Sequence, residues 1–269
     1  MRVCLVLAAA LASLVAAAPA PAITGGGPDA GAHPQVGIMV LDSSNLGRGY
    51  GCSGTLISPT VFLTAAHCDP SLLRHVHVTR VSAYFADQLG DPNAIPTQDL
   101  VEGTFVADPQ FQPNPGGEEG SIDSHDIAVI LLASPVSITP ASLPAAGLLD
   151  QLAFQGGLLG QSFTNVGYGA TGYEFGGGPP RKDYPGARLA SVSAFQALLP
   201  SYLHLLGGTA LDTGGTCGGD SGGPAFLGTS TTVVAITSTG DPFCLALNVD
   251  YRTDITSARS FLSHYVQLP

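Results

Sequence analysis

The chain of 269 residues is 45% hydrophobic and only 11% charged, enough apolar side chain to bury a substantial core, which excludes a protein disordered over its whole length. Its formal net charge of −11 at pH 7 repels nucleic acid phosphates and anionic membranes, so neither is expected as a partner. The 35 glycines and 21 prolines are spread without an internal repeat, as expected of many short strands joined by turns.

The first element in chain order is "MRVCLVLAAALASLVAAAPAPA". Arg2, an apolar run from Val3 to about Ala18, and the small residues Ala20-Pro21-Ala22 form the pattern of a secretory signal peptide over residues 1–22. The run is too short and too alanine-rich for a membrane anchor. Cleavage after Ala18 or Ala20 would leave a proline just past the cut, so Ile23 is the expected new N-terminus. Removal takes away Arg2 and Cys4, leaving an extracellular chain of net charge −12 with Cys52, Cys68, Cys217 and Cys244. An even cysteine count in a secreted chain reads as disulfides, with three pairings open. The spacings lack the Cys-x-x-Cys form of a zinc site.

Downstream, "FLTAAHC" carries His67 at the end of an apolar run. "HVHVTRV" (75–81) has the branched residues and partial alternation of a strand, and "DIAVILLA" (126–133), opened by Asp126, is the short apolar run of a strand buried on both faces. The Pro-rich "ASPVSITPASLP", Ala133 to Pro144, is the expected crossing between two halves, placed at about 23–138 and 139–269. "GGTCGGDSGGPAF", Gly214 to Phe226, surrounds Asp220 and Ser221 with glycines that cost entropy and bury nothing. "TTVVAITST" (231–239) reads as a strand. "ITSARSFLSHYVQLP" places Ile255, Ala258, Phe261, Leu262, Tyr265 and Val266 on one helical face. The elements describe an all-β protein with one C-terminal helix.

Taken singly, His67 reads as a structural histidine, Asp126 as a turn cap and Ser221 as a tight-turn residue. Together they supply a nucleophile, a base suited to neutral pH, and a carboxylate to fix the base's tautomer. With their flanks the chain resembles the chymotrypsin-like (trypsin-fold) secreted serine peptidases. "CSGTLISPTVFLTAAHC" resembles that family's segment ending in the catalytic histidine, "DIAVILL" its aspartate strand, "VGYG" (166–169) a landmark of its second barrel, and "GDSGGP" its nucleophile loop. The four fall in the family's order and span nearly the whole chain after the signal.

The resemblance implies two antiparallel six-stranded β-barrels with the active site in the cleft between them. His67 would be general base and then acid, Asp126 its orienting partner, and Ser221 the nucleophile. The amides of Gly219 and Ser221 would form the oxyanion hole, worth about 3 kcal/mol per donor. It also implies the disulfides Cys52–Cys68 and Cys217–Cys244, the first contributing roughly 3 kcal/mol by loop closure. "ITGG" at Ile23 resembles the family's mature start, whose ammonium would pair with Asp220. No Arg or Lys immediately precedes Ile23, so signal cleavage itself is expected to release the active N-terminus; the opposing expectation is a zymogen that keeps Pro19 to Ala22.

Several features depart from the family pattern. There is no tryptophan, and Gly215 stands where trypsins place the carboxylate of the primary pocket, beside Thr216. Gly240 is expected to keep the pocket mouth open, and Asp250 to approach from the other wall, where it would admit Arg or Lys. A broad or chymotrypsin-like preference is the leading expectation. Partners are then protein or peptide substrates and a protein inhibitor, with the chain a monomer. No cofactor or metal is expected: the acidic stretches Asp87 to Asp99 and Glu118 to Asp123 offer oxygen ligands of the kind calcium takes but read as solvated faces, and His33, His75, His77, His204 and His264 have no metal-ligand spacing. Two rivals are weighed: an α/β-hydrolase esterase using Ser221, Asp250 and His264, which lacks the required helices, and a trypsin-fold homologue that binds without cutting.

Overall fold

The computed structural model describes residues 23–113, 122–174, 176, 178–208 and 213–269. The signal peptide expected over 1–22 lies outside them, as do residues 118–121 of the second acidic stretch. Strand β1 (Gly27–Pro28) is followed by β2 (Val36–Ser43), β3 (Gly47–Ser58), β4 (Val61–Thr64), β5 (Val78–Tyr84), β6 (Val101–Ala107) and β7 (Ala128–Leu132). These last six form a closed antiparallel barrel in the order β2-β3-β4-β7-β6-β5. Val36 to Leu41 and all of β4 are buried, consistent with strands covered on both faces.

The chain then builds β8 (Ser162–Gly167), a hairpin of β9 (Tyr173–Glu174) and β10 (Arg181–Lys182), and β11 (Leu189–Leu198), β12 (Tyr202–Leu206), β13 (Pro224–Leu227), β14 (Val233–Gly240) and β15 (Leu247–Arg252). The order β11-β12-β15-β14-β13-β8 closes through β8–β11 into the second six-stranded barrel, with β1 appended to β11. Leu149, Phe163, Leu203, Leu205, Ala225 and Val234 pack together within this half of the molecule.

Three elements depart from the local sequence reading, two of them because a distant group intervenes. The strand expected from His75 begins at Val78, since the backbone at His75 and His77 is bound instead to the Asn45 side chain. Helix α1 (Leu148–Phe154) was not anticipated: its first turn is capped by Asp254, whose carboxylate accepts from Leu149 N at 2.8 Å across 105 residues. Helix α2 (Thr256–Leu262) buries Ala258, Phe261 and Leu262 as expected but spans only two turns. Ile255, Tyr265 and Val266 still pack on the core from outside it.

The barrels are stitched together by buried polar groups. Arg188 of the second half donates to Asp29 Oδ2 (2.9 Å), to Val36 O (3.0 Å) and to Asp87. Tyr168 donates to Ala86 O at 2.6 Å. Burial alone would raise the Asp29 carboxyl, but hydrogen bonds from His33 and Arg188 hold it down at about 2.

Candidate active site

His67 lies in a one-turn 3-10 helix, Ala66–Cys68, at the end of β4. The disulfide Cys52–Cys68, with Cα atoms 6.1 Å apart, ties that turn to β3. Asp126 stands just before β7 and is buried, with both oxygens engaged. Oδ1 accepts from the His67 backbone N–H at 2.9 Å and Oδ2 faces His67 Nδ1 at 2.8 Å. The carboxylate thus grips main chain and ring at once, which turns Nε2 away from it. The imidazole is 32% exposed, open to the cleft.

Ser238 of β14 donates to Asp126 Oδ2 at 2.5 Å, bringing the second barrel onto the aspartate of the first. Sequence reading missed this serine. Its partner lies 112 residues away and no local pattern marks it.

The nucleophile loop is held by main-chain geometry. Gly222, next to Ser221, has φ +74°, and a methyl group there would strike Thr64 Oγ1 and Ala65 N, immediately before the His67 turn. Only glycine allows this approach, and it places Ser221 beside the histidine segment. The Gly219 carbonyl accepts from Ser53 Oγ at 2.8 Å, and Ser53 Oγ in turn accepts from Tyr168 N at 3.0 Å. Ser53 is a second residue that sequence reading missed. Gly218 O accepts from Ala170 N at 3.0 Å. Because a trans peptide points its carbonyl and N–H in opposite directions, this bond aims the Gly219 N–H the other way. Neither that amide nor Ser221 N–H has an acceptor among the described residues.

Asp220 is 1% exposed. Its oxygens accept from Gly169 N (2.8 Å) and Cys217 N (2.9 Å), and no cation faces it among the described residues. Burial pushes its carboxyl up to about 7 despite those two bonds. Ile23 is fully buried against Ala187 and Leu189. Its φ of +58° is a strained backbone conformation for a β-branched residue. In this continuous chain Ile23 presents a peptide nitrogen.

Around the expected pocket, the disulfide Cys217–Cys244 joins the nucleophile loop to the segment after β14. Thr24 pairs with Gly215, and Thr216 N donates to Asn248 Oδ1 at 2.9 Å, the same oxygen against which a Gly215 side chain would press. Asn248, two residues before Asp250, is therefore a third residue that sequence reading missed. Gly240 owes its lack of a side chain to the close approach of Leu247 O across the ladder. Asp250 has no solvent exposure, and neither carboxylate oxygen has a hydrogen-bond partner. Burial first, then the Asp220 charge, push it up to about 7.

Cys52, His67 and Cys68 are the one grouping of three potential metal donors among the described residues. The two sulfurs are bonded to each other, so the set offers one imidazole. His264, the third residue of the esterase reading, bonds locally to Phe261 O at 3.2 Å. No helix among the described residues is long and apolar enough to cross a membrane.

The family model described as Trypsin matches residues 23–262. Phenoloxidase-activating factor 3 of Holotrichia diomphalia is 26% identical over 74% of this chain and 57% of its own length. Snake venom serine protease PTLE1 of Gloydius halys is 31% identical over 69% of this chain and 65% of its own. The matches thus span less than two thirds of these relatives. A solved structure of HL collagenase superposes with a TM-score of 0.62 at 16% identity, covering 88% of this chain and 95% of that one, a likeness of fold alone.

Proposed function

Because the chain belongs to the trypsin family, we propose that it is a secreted serine endopeptidase that cuts protein or peptide substrates through an acyl-enzyme on Ser221. The observation that carries this reading is the double grip of Asp126 on His67, with Gly222 packed against the Thr64–Ala65 backbone beside it.

His67 Nδ1–H donates to Asp126, leaving the Nε2 lone pair to take the Ser221 proton as Oγ attacks the carbonyl. The resulting imidazolium returns that proton to the leaving amine. The oxyanion is received by the N–H groups of Gly219 and Ser221, the first aimed by the Gly218–Ala170 bond. Water then repeats the sequence on the ester.

Cutting before Ile23 frees an ammonium and relieves the left-handed backbone there, and Asp220 is the buried anion that receives it. Signal cleavage supplies the cut. The pocket formed by Gly215, Thr216 and Gly240, closed beneath by Asn248, lacks a carboxylate at its floor and takes apolar or mixed side chains. Asp250, shut inside the barrel, is not available to a substrate cation without rearrangement. A protein inhibitor would fill the same cleft, and the chain works as a monomer.

Intact mass of the secreted protein before and after a fluorophosphonate tests this. The expected result is a chain starting at Ile23 that gains one adduct, lost in Ser221→Ala and His67→Ala. A chain starting at Ile23 that takes no adduct would instead be a binding homologue. A longer, unlabelled chain would be a zymogen. Labelling with cleavage of esters but no peptides would make it an esterase.

A further inference from the structure

Gly218, the residue before the oxyanion glycine, brings no side chain to the edge of the nucleophile loop, and a neighbouring element fills the space. A methyl group on Gly218 would collide with the ammonium and last methylenes of Lys182. Lys182 sits on β10, paired with Tyr173 of β9. The root of that hairpin is fixed by backbone bonds: Thr171 N to Asp183 O (2.8 Å), Asp183 N to Gly172 O (3.2 Å), and Ala170 N to Gly218 O (3.0 Å). Main chain therefore sets the hairpin beside the loop, and the lysine follows.

The ammonium stands 5.9 Å above the Tyr173 ring, which meets the half-exposed Phe243 edge-on at 5.8 Å. Tyr184, also half-exposed, lies 3.3 Å from where a Gly219 Cβ would be. This is an aromatic rim with one cation. Lys182 is the only lysine of a chain whose net charge is −11. Arg48, Arg80, Arg188 and Arg252 are neutralised in ion pairs. Lys182 is exposed and has no carboxylate within ion-pair distance among the described residues. Arg181, its neighbour, projects from the opposite side of the strand.

We propose that Lys182 forms a subsite for an acidic side chain of the substrate, a Glu or Asp close to the scissile bond, held by the ammonium against the aromatic rim. The proposal rests on the peptidase reading and adds a requirement outside the primary pocket. In a strongly acidic protein, an unpaired cation beside the nucleophile loop marks where an anionic substrate group is tolerated and drawn in. An exposed pair of this kind supports a preference of about three- to fivefold in kcat/KM, shrinking with salt.

Internally quenched peptides sharing one cleavable core, with Glu, Gln or Lys at each position flanking the scissile bond, test it. The expected result is one position where Glu exceeds Gln by about three- to fivefold and Lys falls below both. Lys182→Gln abolishes the preference, Lys182→Glu inverts it, and Arg181→Gln leaves it intact, all with unchanged fluorophosphonate labelling. Equal Glu and Gln rates at every position, or a preference that survives Lys182→Gln, overturn the subsite alone. Protein that neither labels nor cleaves any peptide overturns the peptidase reading and the subsite with it.

Discussion

Replacing Asp250 by Asn should give a stability gain that depends on pH. Asp250 is fully buried without a hydrogen-bond partner, and its carboxyl is pushed from 3.8 up to about 7, burial being the largest cause. The unfolded chain releases the Asp250 proton near pH 4 and the folded chain retains it to about pH 7, so between those values the folded state binds more protons. Stability contributed by this group is present below the unfolded value and falls as pH rises through the window. The full shift corresponds to roughly 4 kcal/mol. Asparagine keeps the shape and does not titrate. In a Ser221→Ala background, which prevents self-digestion, denaturant unfolding at pH 4, 6 and 8 should show the Asp250→Asn advantage growing by about 3–4 kcal/mol across the series. Any fixed cost of burying the amide shifts all points equally. Parallel curves, with a difference constant across pH, would refute a titrating Asp250.

Three other perturbations separate positioning from stability. Gly222→Ala meets both the positive φ and the Thr64–Ala65 backbone, so it should cut kcat by more than about a hundredfold, a few kcal/mol of misplaced nucleophile, with the fold retained by circular dichroism. Arg188→Met leaves Asp29 buried without its guanidinium and should cost about 3–5 kcal/mol in denaturant unfolding. Asp29→Asn should remove a stabilisation of roughly 2 kcal/mol that is present above pH 3.8 and lost as pH falls through about 2.

What could be read in advance follows from how local each signal is. Strand β7 declares itself by a continuous apolar run and β14 by branched residues in partial alternation, and His67, Asp126 and Ser221 by flanks that resemble a known family. The groups that make those residues work together are invisible in one dimension. Ser238 reaches Asp126 and Ser53 reaches Gly219 across separations of 112 and 166 residues, each as an ordinary serine in a strand. Helix α1 has no local cap because Asp254 supplies it from across the fold. Asp250 was read as a pocket wall from its place along the chain, but its side chain is wholly buried without a hydrogen-bond partner, and Asn248, two residues earlier on the same strand, is the residue that takes the Thr216 amide.

Asp220 and Asp250 together suggest why maturation would be decisive in this chain. Both carboxyls are pushed up to about 7, mainly by burial, and the Asp220 charge contributes to the rise at Asp250. An ammonium freed at Ile23 gives Asp220 a counter-ion in the place where an isolated charge is most costly, so the same burial that penalises the uncut chain strengthens the pair once it forms. Asp220 immediately precedes Ser221, and its oxygens hold the Cys217 and Gly169 amides on either side of the oxyanion loop. Ionising it would therefore lock the loop that aims Gly219. Asp250 gains no hydrogen bond from that event, and burial, the main cause of its shift, is unchanged. The cost it imposes above neutral pH should persist in the mature protein.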